Sequence, residues 1–315
     1  MRNTTIHAVF MFLLPLLVAA FGLSVKAAAL LVLLALAWRW VLSFKKLRAT
    51  GGPGIVLESI GISHYVEKVR WCMDRLGLDY QERVCAATLG AFYWGRTVPL
   101  LDVRTGSVRS TISNSADILR YLWGAYGLAG GHDARFLEPL PERLVLEQRL
   151  DRYGRHLQVW IYSHLLDKKP LMLDAWGVND ARVPRLQRVL IRILYPVQVR
   201  LMRRAFSLTP SHYESVKARI LELLGDIDAA VAENPASILG DSESNYTDFA
   251  FAALSSPLAL PANFAGLAKP HSLDYDRLPD GMKTDIDEFR AAAPAAFEFI
   301  ARLYREERMS EGVSA

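Results

Sequence analysis

The sequence predicts an α/β domain followed by an all-helical domain, preceded by two transmembrane helices. Three observations lead to this fold class. Two apolar runs fill most of the first 44 residues, strand and helix signals alternate between residues 54 and 125, and long helical patterns without strand signals continue to residue 308. We therefore expect a hydrophobic membrane anchor over 1–50, an α/β domain over 54–125 and a helical domain over 140–308.

The anchor is predicted from two runs of 18 residues each, Ala8–Val25 and Ala27–Phe44. As a helix, each would be about 27 Å long, close to the ~30 Å of a bilayer's hydrocarbon core. The basic residues Lys45, Lys46 and Arg48 follow at once, which favours a hairpin through residues 8–44 with both ends in the cytoplasm. A cleaved signal peptide before a single anchor, or a hydrophobic but soluble N-terminus, are the alternatives.

The charge distribution argues against a nucleic-acid partner. Lys plus Arg total 37 and Asp plus Glu total 33, for a net charge of +4, but six of the basic residues and no acidic residue lie in the first fifty. Residues 51–315 therefore carry a slight excess of acid. The two cysteines, Cys72 and Cys85, are too few for a disulfide framework or a four-thiolate metal site, and we expect no metal.

Between residues 54 and 125, short strands surround one clear helix. The helix starts at Ser63, carries apolar residues at helical spacing from Val66 to Leu76, and stops at Gly77. A second helix begins at Ser115. The predicted strands are 55–60, 79–85, 97–103 and 108–112.

Beyond residue 126 the pattern is helical. Capping-box spacing occurs at Ser211 with Glu214 and at Asn245 with Asp248. Seven arginines between residues 182 and 204 form either a solvated helix face or a surface that docks onto anionic lipid. The predicted helices are 143–166, 182–206, 211–233, 245–254 and 284–307.

Four segments, in order over about residues 54–308, resemble the glutathione transferase superfamily. They are the first-helix segment 63–70, the Val-Pro-Leu-Leu segment 97–101, the Asn-Ser-Ala-Asp-Ile segment 113–122 and the capped segment 245–250. The resemblance implies a thioredoxin-like N-terminal domain, a helical-bundle C-terminal domain and glutathione as co-substrate. The hydrophobic N-terminus is a departure from that family.

The resemblance places Ser63 at the catalytic position of a serine-type site. A hydroxyl at a helix N-terminus can donate a hydrogen bond to the glutathione thiolate, and the helix dipole favours the same charge. Tyr65 is the runner-up hydroxyl. His64, which stands where the family usually has proline, is expected to face solvent.

The resemblance also implies the glutathione-binding residues. The Val98–Pro99 bond is expected to be cis, with the Val98 backbone pairing with the cysteinyl part of glutathione. Ser115, at a helix N-terminus, would bind the γ-glutamyl carboxylate. Asn114 stands where the family usually has an acidic residue, and Arg96 would reach the glycyl carboxylate.

The predicted function is a membrane-anchored glutathione transferase facing the cytoplasm. It would conjugate glutathione to a hydrophobic small-molecule electrophile, and whether it forms a homodimer is left open. One alternative is a non-catalytic membrane-bound adaptor with the same fold, in the manner of metaxin-like proteins. Another is a dedicated glutathione-dependent lyase or dehalogenase.

Overall fold

The computed structural model describes residues 54–86, 98–105, 108–127, 133–266 and 274–308, together with Leu30, Leu33 and Ala37. Those three residues are helical and exposed. The rest of the predicted anchor and Arg96 lie outside the described residues. Among the described residues, no helix is both long enough and apolar enough to cross a membrane.

The described strands form a four-stranded sheet in the order β2-β1-β3-β4. β1 pairs with β2 in parallel, and both β1–β3 and β3–β4 are antiparallel. This order, with a helix connecting the parallel pair, is thioredoxin-like. The strands are β1 (Ile55–Ser59), β2 (Gln81–Val84), β3 (Leu100–Thr105) and β4 (Val108–Ser113).

Helices complete this domain, and from residue 133 onward the described part of the chain holds helices and no strand. The helices are α1 (His64–Arg75), α2 (Ser115–Leu122), α3 (Pro141–Leu165), α4 (Lys169–Ala175), α5 (Arg185–Ala205), α6 (Pro210–Glu233), α7 (Tyr246–Leu254), α8 (Ser256–Ala259), α9 (Asp280–Ala292) and α10 (Pro294–Glu306).

Helix α1 lies between the two halves of the fold. The Ser63 side chain caps its N-terminus, and Gly77, at φ +64°, follows its C-terminus, where the Gly77 N–H donates to the Asp74 carbonyl over 2.9 Å. Both ends are as the sequence predicts. Helix α7 packs on α1 from the helical side, with the Trp71 and Phe249 rings stacked 5.3 Å apart.

Helix α7 is the centre of the helical domain, since every one of its residues is buried. The predicted capping box is confirmed: the Asn245 side chain accepts from the Thr247 N–H, and the Asp248 carboxylate accepts from the Asn245 N–H, both over 2.8 Å. A second Asp248 oxygen accepts from the Ile238 N–H over 2.8 Å. The carboxylate thus fixes the preceding loop to the helix that packs on α1.

Three helix predictions are corrected. The single helix over 284–307 is wrong, because Pro294 divides it: the residue before a proline avoids helical angles, and Ala293 has φ −141°. The Ser211 capping box is also wrong, since the cap is Thr209 and Ser211 lies inside the helix. The stretch predicted as helix from 182 begins at Arg185, after Pro184, and the short α4 was not predicted.

Candidate functional site

The strand register brings the predicted site residues to one edge of the sheet. Glu58 of β1 lies opposite Leu100 of β3, and Leu100 lies opposite Ser113 of β4. At that edge β1 and β4 end and β3 begins. The three chain segments that carry the site residues, 60–63, 98–99 and 114–115, therefore leave or enter the sheet side by side, at neighbouring-strand spacings of about 4.8 Å.

Ser63 is half-buried at the N-terminus of α1. Its Oγ accepts a hydrogen bond from the Val66 N–H over 3.4 Å, and its own N–H donates to the Ile60 carbonyl over 2.9 Å. The hydroxyl acts only as an acceptor in these contacts, so its proton can be donated to a ligand. The first turn of α1 adds a positive field at the same place.

The Val98–Pro99 peptide bond is cis, as the sequence resemblance implies. Val98 is half-buried and Pro99 is buried. They directly precede β3, whose first residue Leu100 pairs across the sheet on both sides. The Val98 backbone thus lies at the sheet edge, between the segments that carry Ser63 and Ser115.

Asn114 and Ser115 form the N-terminus of α2. Asn114 is the N-cap, with its Oδ1 accepting from the Ala116 N–H over 3.2 Å, and it has φ +74°. Asparagine tolerates positive φ better than most residues, and such a conformation is common at ligand sites. Asn114 is exposed, whereas Ser115 is buried as the first helical residue. A helix N-terminus of this kind favours a carboxylate.

Tyr65, the runner-up hydroxyl, points toward the helical domain. Its hydroxyl donates to the Asp151 carbonyl of α3 over 3.1 Å. The ring lies against Gly154, where a Cβ atom would stand 2.5 Å from the Tyr65 hydroxyl. Burial, together with the nearby Asp151 charge, raises the pKa of Tyr65 well above its ordinary value. The hydroxyl therefore has a structural partner already.

His64 is buried, so the expectation that it faces solvent is wrong. Its ring lies 4.7 Å from the Tyr65 ring and makes a hydrogen bond with the Gly154 backbone. Its Nε2 is buried without a hydrogen-bond partner among the described residues. Helix α3 packs over the start of α1 and removes His64 from water, which the local sequence does not reveal. Burial lowers the pKa of His64 from 6.5 to about 4.

This burial makes the stability of the fold depend on pH. Below pH 6.5 the unfolded chain takes up a proton on His64 that the folded chain accepts only near pH 4, so the free energy of unfolding falls across that window. We expect the wild type to lose about 2 kcal/mol more than His64→Gln between about pH 7 and pH 5. Urea unfolding of both proteins at each pH measures this, and equal losses would contradict it.

A buried ionic network joins α1 to the helical domain. The Glu67 carboxylate, fully buried, accepts from Arg70 and, over 2.8 Å, from Arg308. Lys68 donates to Glu147 of α3 over 3.0 Å. Sequence spacing does not reveal the network, because Glu147 and Arg308 lie 79 and 241 residues from their partners and each looks like an ordinary solvated charge. The network holds α1, and with it Ser63, in place.

Neither cysteine occupies the predicted catalytic position, although the Cys85 N–H donates to the Ser59 carbonyl over 2.8 Å at the same edge of the sheet. Cys72 is inside α1 and Cys85 follows β2, and both are buried and free. Burial raises the pKa of Cys72 to about 12 and that of Cys85 to about 11. Both therefore remain neutral thiols at neutral pH, and neither supplies a reactive thiolate.

Comparison with known proteins gave matches among solved structures alone. No family model matches the chain, and no curated protein matches it. A glutathione S-transferase from Methylobacterium radiotolerans, in complex with glutathione sulfonate, is similar at 13% identity, over 83% of this chain and 97% of that one, with a TM-score of 0.49.

Two further structures illustrate the range of the matches. The glutathione S-transferase CsGST63524 of Ceriporiopsis subvermispora, in complex with glutathione, shares 15% identity over 83% of this chain and all of that one, with a TM-score of 0.47. FzlA from C. crescentus shares 13% identity over 81% of this chain and 89% of that one, with a TM-score of 0.43. At these levels, the comparisons transfer neither activity nor ligand to this chain.

Proposed function

We propose that this protein is a glutathione transferase that binds glutathione along the sheet edge. The observation that carries the proposal is the convergence of Ser63, the cis Val98–Pro99 segment and the N-terminus of α2 at one edge. A tripeptide thiol such as glutathione needs three partners at its binding site: a hydrogen-bond donor for its sulfur, an extended backbone segment to pair with, and a site for its carboxylate. The edge supplies one of each.

In this proposal, Ser63 donates a hydrogen bond to the glutathione sulfur. The thiolate is the nucleophile, so catalysis at neutral pH requires a site that favours the charged form. A hydroxyl donor and the positive end of α1 both do so. The thiolate then attacks an electrophilic carbon of the second substrate, forms a carbon–sulfur bond and expels the leaving group. Tyr65 is the weaker candidate, since its hydroxyl is already donated to Asp151.

The rest of the tripeptide would be bound by backbone hydrogen bonds and by groups that favour its two carboxylates. The Val98 backbone would pair with the cysteinyl unit, and the Ser115 N–H and hydroxyl would bind the γ-glutamyl carboxylate at the N-terminus of α2. We assign the glycyl carboxylate to Arg96. The second substrate would be a small hydrophobic electrophile bound between the sheet edge and the helical domain.

We further propose that residues 8–44 anchor the chain in a membrane, with the two following domains, 54–125 and 140–308, on the cytoplasmic side. The apolar runs and the Lys45, Lys46 and Arg48 flank support this location. Hydrophobic electrophiles partition into membranes, so an anchored transferase would meet them at high local concentration. Labelling from outside the cytoplasm that reaches residue 50 would contradict the topology.

Calorimetric titration of the detergent-solubilised full chain with glutathione tests the binding proposal. We expect saturable binding with a Kd of about 1 mM or tighter, equivalent to roughly −4 kcal/mol or better. Glutathione lacking its γ-glutamyl group is the matched ligand, and it should bind more weakly because the α2 N-terminus loses its carboxylate partner. Absence of heat at saturating glutathione would overturn the proposal.

Asn114 gives a prediction about affinity. Asn114→Asp supplies a negative charge for the glutathione ammonium, and we expect it to tighten glutathione binding by roughly 5- to 10-fold. Aspartate also tolerates positive φ and caps helices, so the backbone at φ +74° should be kept. Calorimetry measures the change.

The matched control for this prediction is Ser110→Asp, which adds the same charge at an exposed position of β4, three residues before its end at the site. It should leave the affinity unchanged. Equal tightening in both variants would show a general charge effect and would contradict the assignment of Asn114.

A non-catalytic adaptor with the same fold is the second candidate. The neutral, exposed Asn114 favours it, because the site then lacks the charge expected to meet the ligand's ammonium. The two candidates differ in calorimetry: an adaptor would show no glutathione binding in either the wild type or Asn114→Asp.

A further inference from the structure

Helix α5 presents a row of apolar side chains to the outside of the fold. The members of this row are spaced i, i+3, i+7, i+11 and i+15, and residues at this spacing lie on one side of an α-helix. Its members are between 42% and 68% exposed, and an α-helix of this span is about 22 Å long from first to last. They are Leu186, Val189, Ile193, Val197 and Leu201.

The opposite side of α5 packs on the helical domain. The Tyr195 hydroxyl donates to the Leu166 carbonyl over 2.7 Å, and the Tyr195 ring lies 5.5 Å from that of Trp176. Gln187 accepts from the Ala86 N–H over 3.1 Å, which ties the start of α5 to the sheet domain. These contacts fix the orientation of α5 on the domain. The apolar row is therefore exposed because it lies on the outward side of a packed helix, and not because the helix is unwound at its ends.

Arginines accompany the apolar row, without any acidic residue in the helix. Six of them lie in its 21 residues, namely Arg185, Arg188, Arg192, Arg200, Arg203 and Arg204. Arg203 pairs with Asp167, and Arg192 donates to the Asn179 side chain over 2.8 Å. No hydrogen bond or ion pair to a described residue is made by Arg185, Arg188, Arg200 or Arg204.

We propose that α5 is a membrane-surface helix that docks onto an anionic lipid leaflet, with its apolar row among the acyl chains and its arginines at the phosphates. Exposed apolar area alone does not identify the partner of α5, but the positive charge of its arginines favours an anionic one. Residues 51–315 carry a slight excess of acid, so this helix is a local exception. An arginine-rich amphipathic helix fits an anionic interface.

A second copy of the chain fits this surface less well. Symmetric pairing of α5 with itself would bring the unneutralised arginines of both copies together beside the apolar row. Lipid phosphates would instead neutralise them. The inference adds a contact surface to the proposed membrane location, but it stands on α5 and does not require glutathione chemistry.

The experiment uses the full chain reconstituted in lipid vesicles. Ile193→Cys, labelled with an environment-sensitive fluorophore, reports on the row, and Ala291→Cys, exposed on α9, is the control position. The native Cys72 and Cys85 are buried and should remain unlabelled. Quenchers carried on the acyl chains then report insertion, in vesicles of phosphatidylcholine alone or with a third of phosphatidylglycerol.

We expect the label at Ile193→Cys to be quenched strongly in anionic vesicles and only weakly in neutral ones. The label at Ala291→Cys should not be quenched in either kind of vesicle. The triple variant Arg185→Gln, Arg188→Gln, Arg200→Gln should lower the ratio of docked to undocked helix roughly 100-fold, at about a factor of five per charge. The matched triple variant Arg152→Gln, Arg155→Gln, Arg219→Gln, at exposed arginines of α3 and α6, should retain quenching.

Absence of quenching at Ile193 in anionic vesicles would overturn the proposal, and so would crosslinking between two Ile193→Cys chains in detergent, which would assign the row to a second copy. Failure of the other proposals gives different signals. Without an anchor, the chain would not float with neutral vesicles, yet charge-dependent quenching would persist. Without a glutathione site, calorimetry would show no heat in the wild type, and the quenching would be unaffected.

Discussion

Ser63→Ala should lower kcat/KM for conjugation of glutathione to an aromatic halide by roughly 10- to 150-fold. The lost interaction is a hydrogen bond to a charged sulfur, worth about 1.5–3 kcal/mol. Loss of the Val66 N–H cap should also lower the free energy of unfolding by about 1 kcal/mol. Steady-state rates at saturating electrophile, with unfolding measured on the same protein, separate the two effects.

Two matched variants show whether the effect belongs to this hydroxyl. Ser63→Thr keeps both the donor and the cap, so it should retain most of the activity. Tyr65→Phe removes the competing hydroxyl and should cost little activity, because that hydroxyl donates to the Asp151 carbonyl. A large loss in Tyr65→Phe with none in Ser63→Ala would move the thiolate contact to Tyr65.

Arg308→Leu should lower the free energy of unfolding by about 3–5 kcal/mol, the largest effect expected on stability. Its guanidinium donates to Glu67 and to Asp74, each over 2.8 Å, and lies 5.6 Å from the centre of the Trp71 ring. Without Arg308, the fully buried Glu67 keeps Arg70 and the Ala265 N–H but loses one of its two charged partners, and a buried carboxylate with too little compensating charge is costly. Denaturant unfolding followed by tryptophan fluorescence measures the loss.

The control for this variant is Arg305→Leu, near the end of α10, where the arginine is exposed and its ion pairs with described residues are to the exposed Glu298 and Glu306. It should change stability by less than about 1 kcal/mol. Glu67→Gln combined with Arg308→Leu should cost less than the two single changes together, because the fully buried carboxylate is then absent and Arg70 keeps Glu82 as its partner. Similar losses in Arg305→Leu and Arg308→Leu would contradict this account of the interface.

Local signals made much of the fold predictable from the sequence. Gly77 can take the positive φ that ends α1, and Asn245 with Asp248 three residues later has the spacing of a helix capping box. These features depend on interactions between residues a few positions apart, which sequence spacing records directly. The site roles of the sheet-edge segments, by contrast, are implied by the resemblance of their short motifs to a known family and not by local spacing alone.

What the sequence did not predict depends on contacts between distant segments. His64 is buried because α3 covers it, and Glu67 is neutralised by Arg308, 241 residues away. The exposure of Ile193 likewise depends on which side of α5 packs on the domain, whereas its sequence shows apolar residues on two sides. Pro294, by contrast, was a local signal that the helical periodicity around it concealed.

The ionisation of glutathione bound to the protein tests the central claim most directly. Ultraviolet absorbance of the thiolate, followed against pH with saturating protein, gives the pKa of the bound thiol. We expect this pKa to lie about one pH unit or more below that of free glutathione. In Ser63→Ala the pKa of the bound thiol should rise most of the way back to the value of free glutathione. A bound thiol that titrates like the free one, or a lowered pKa unchanged in Ser63→Ala, would contradict the assignment of Ser63 as the thiolate's hydrogen-bond donor.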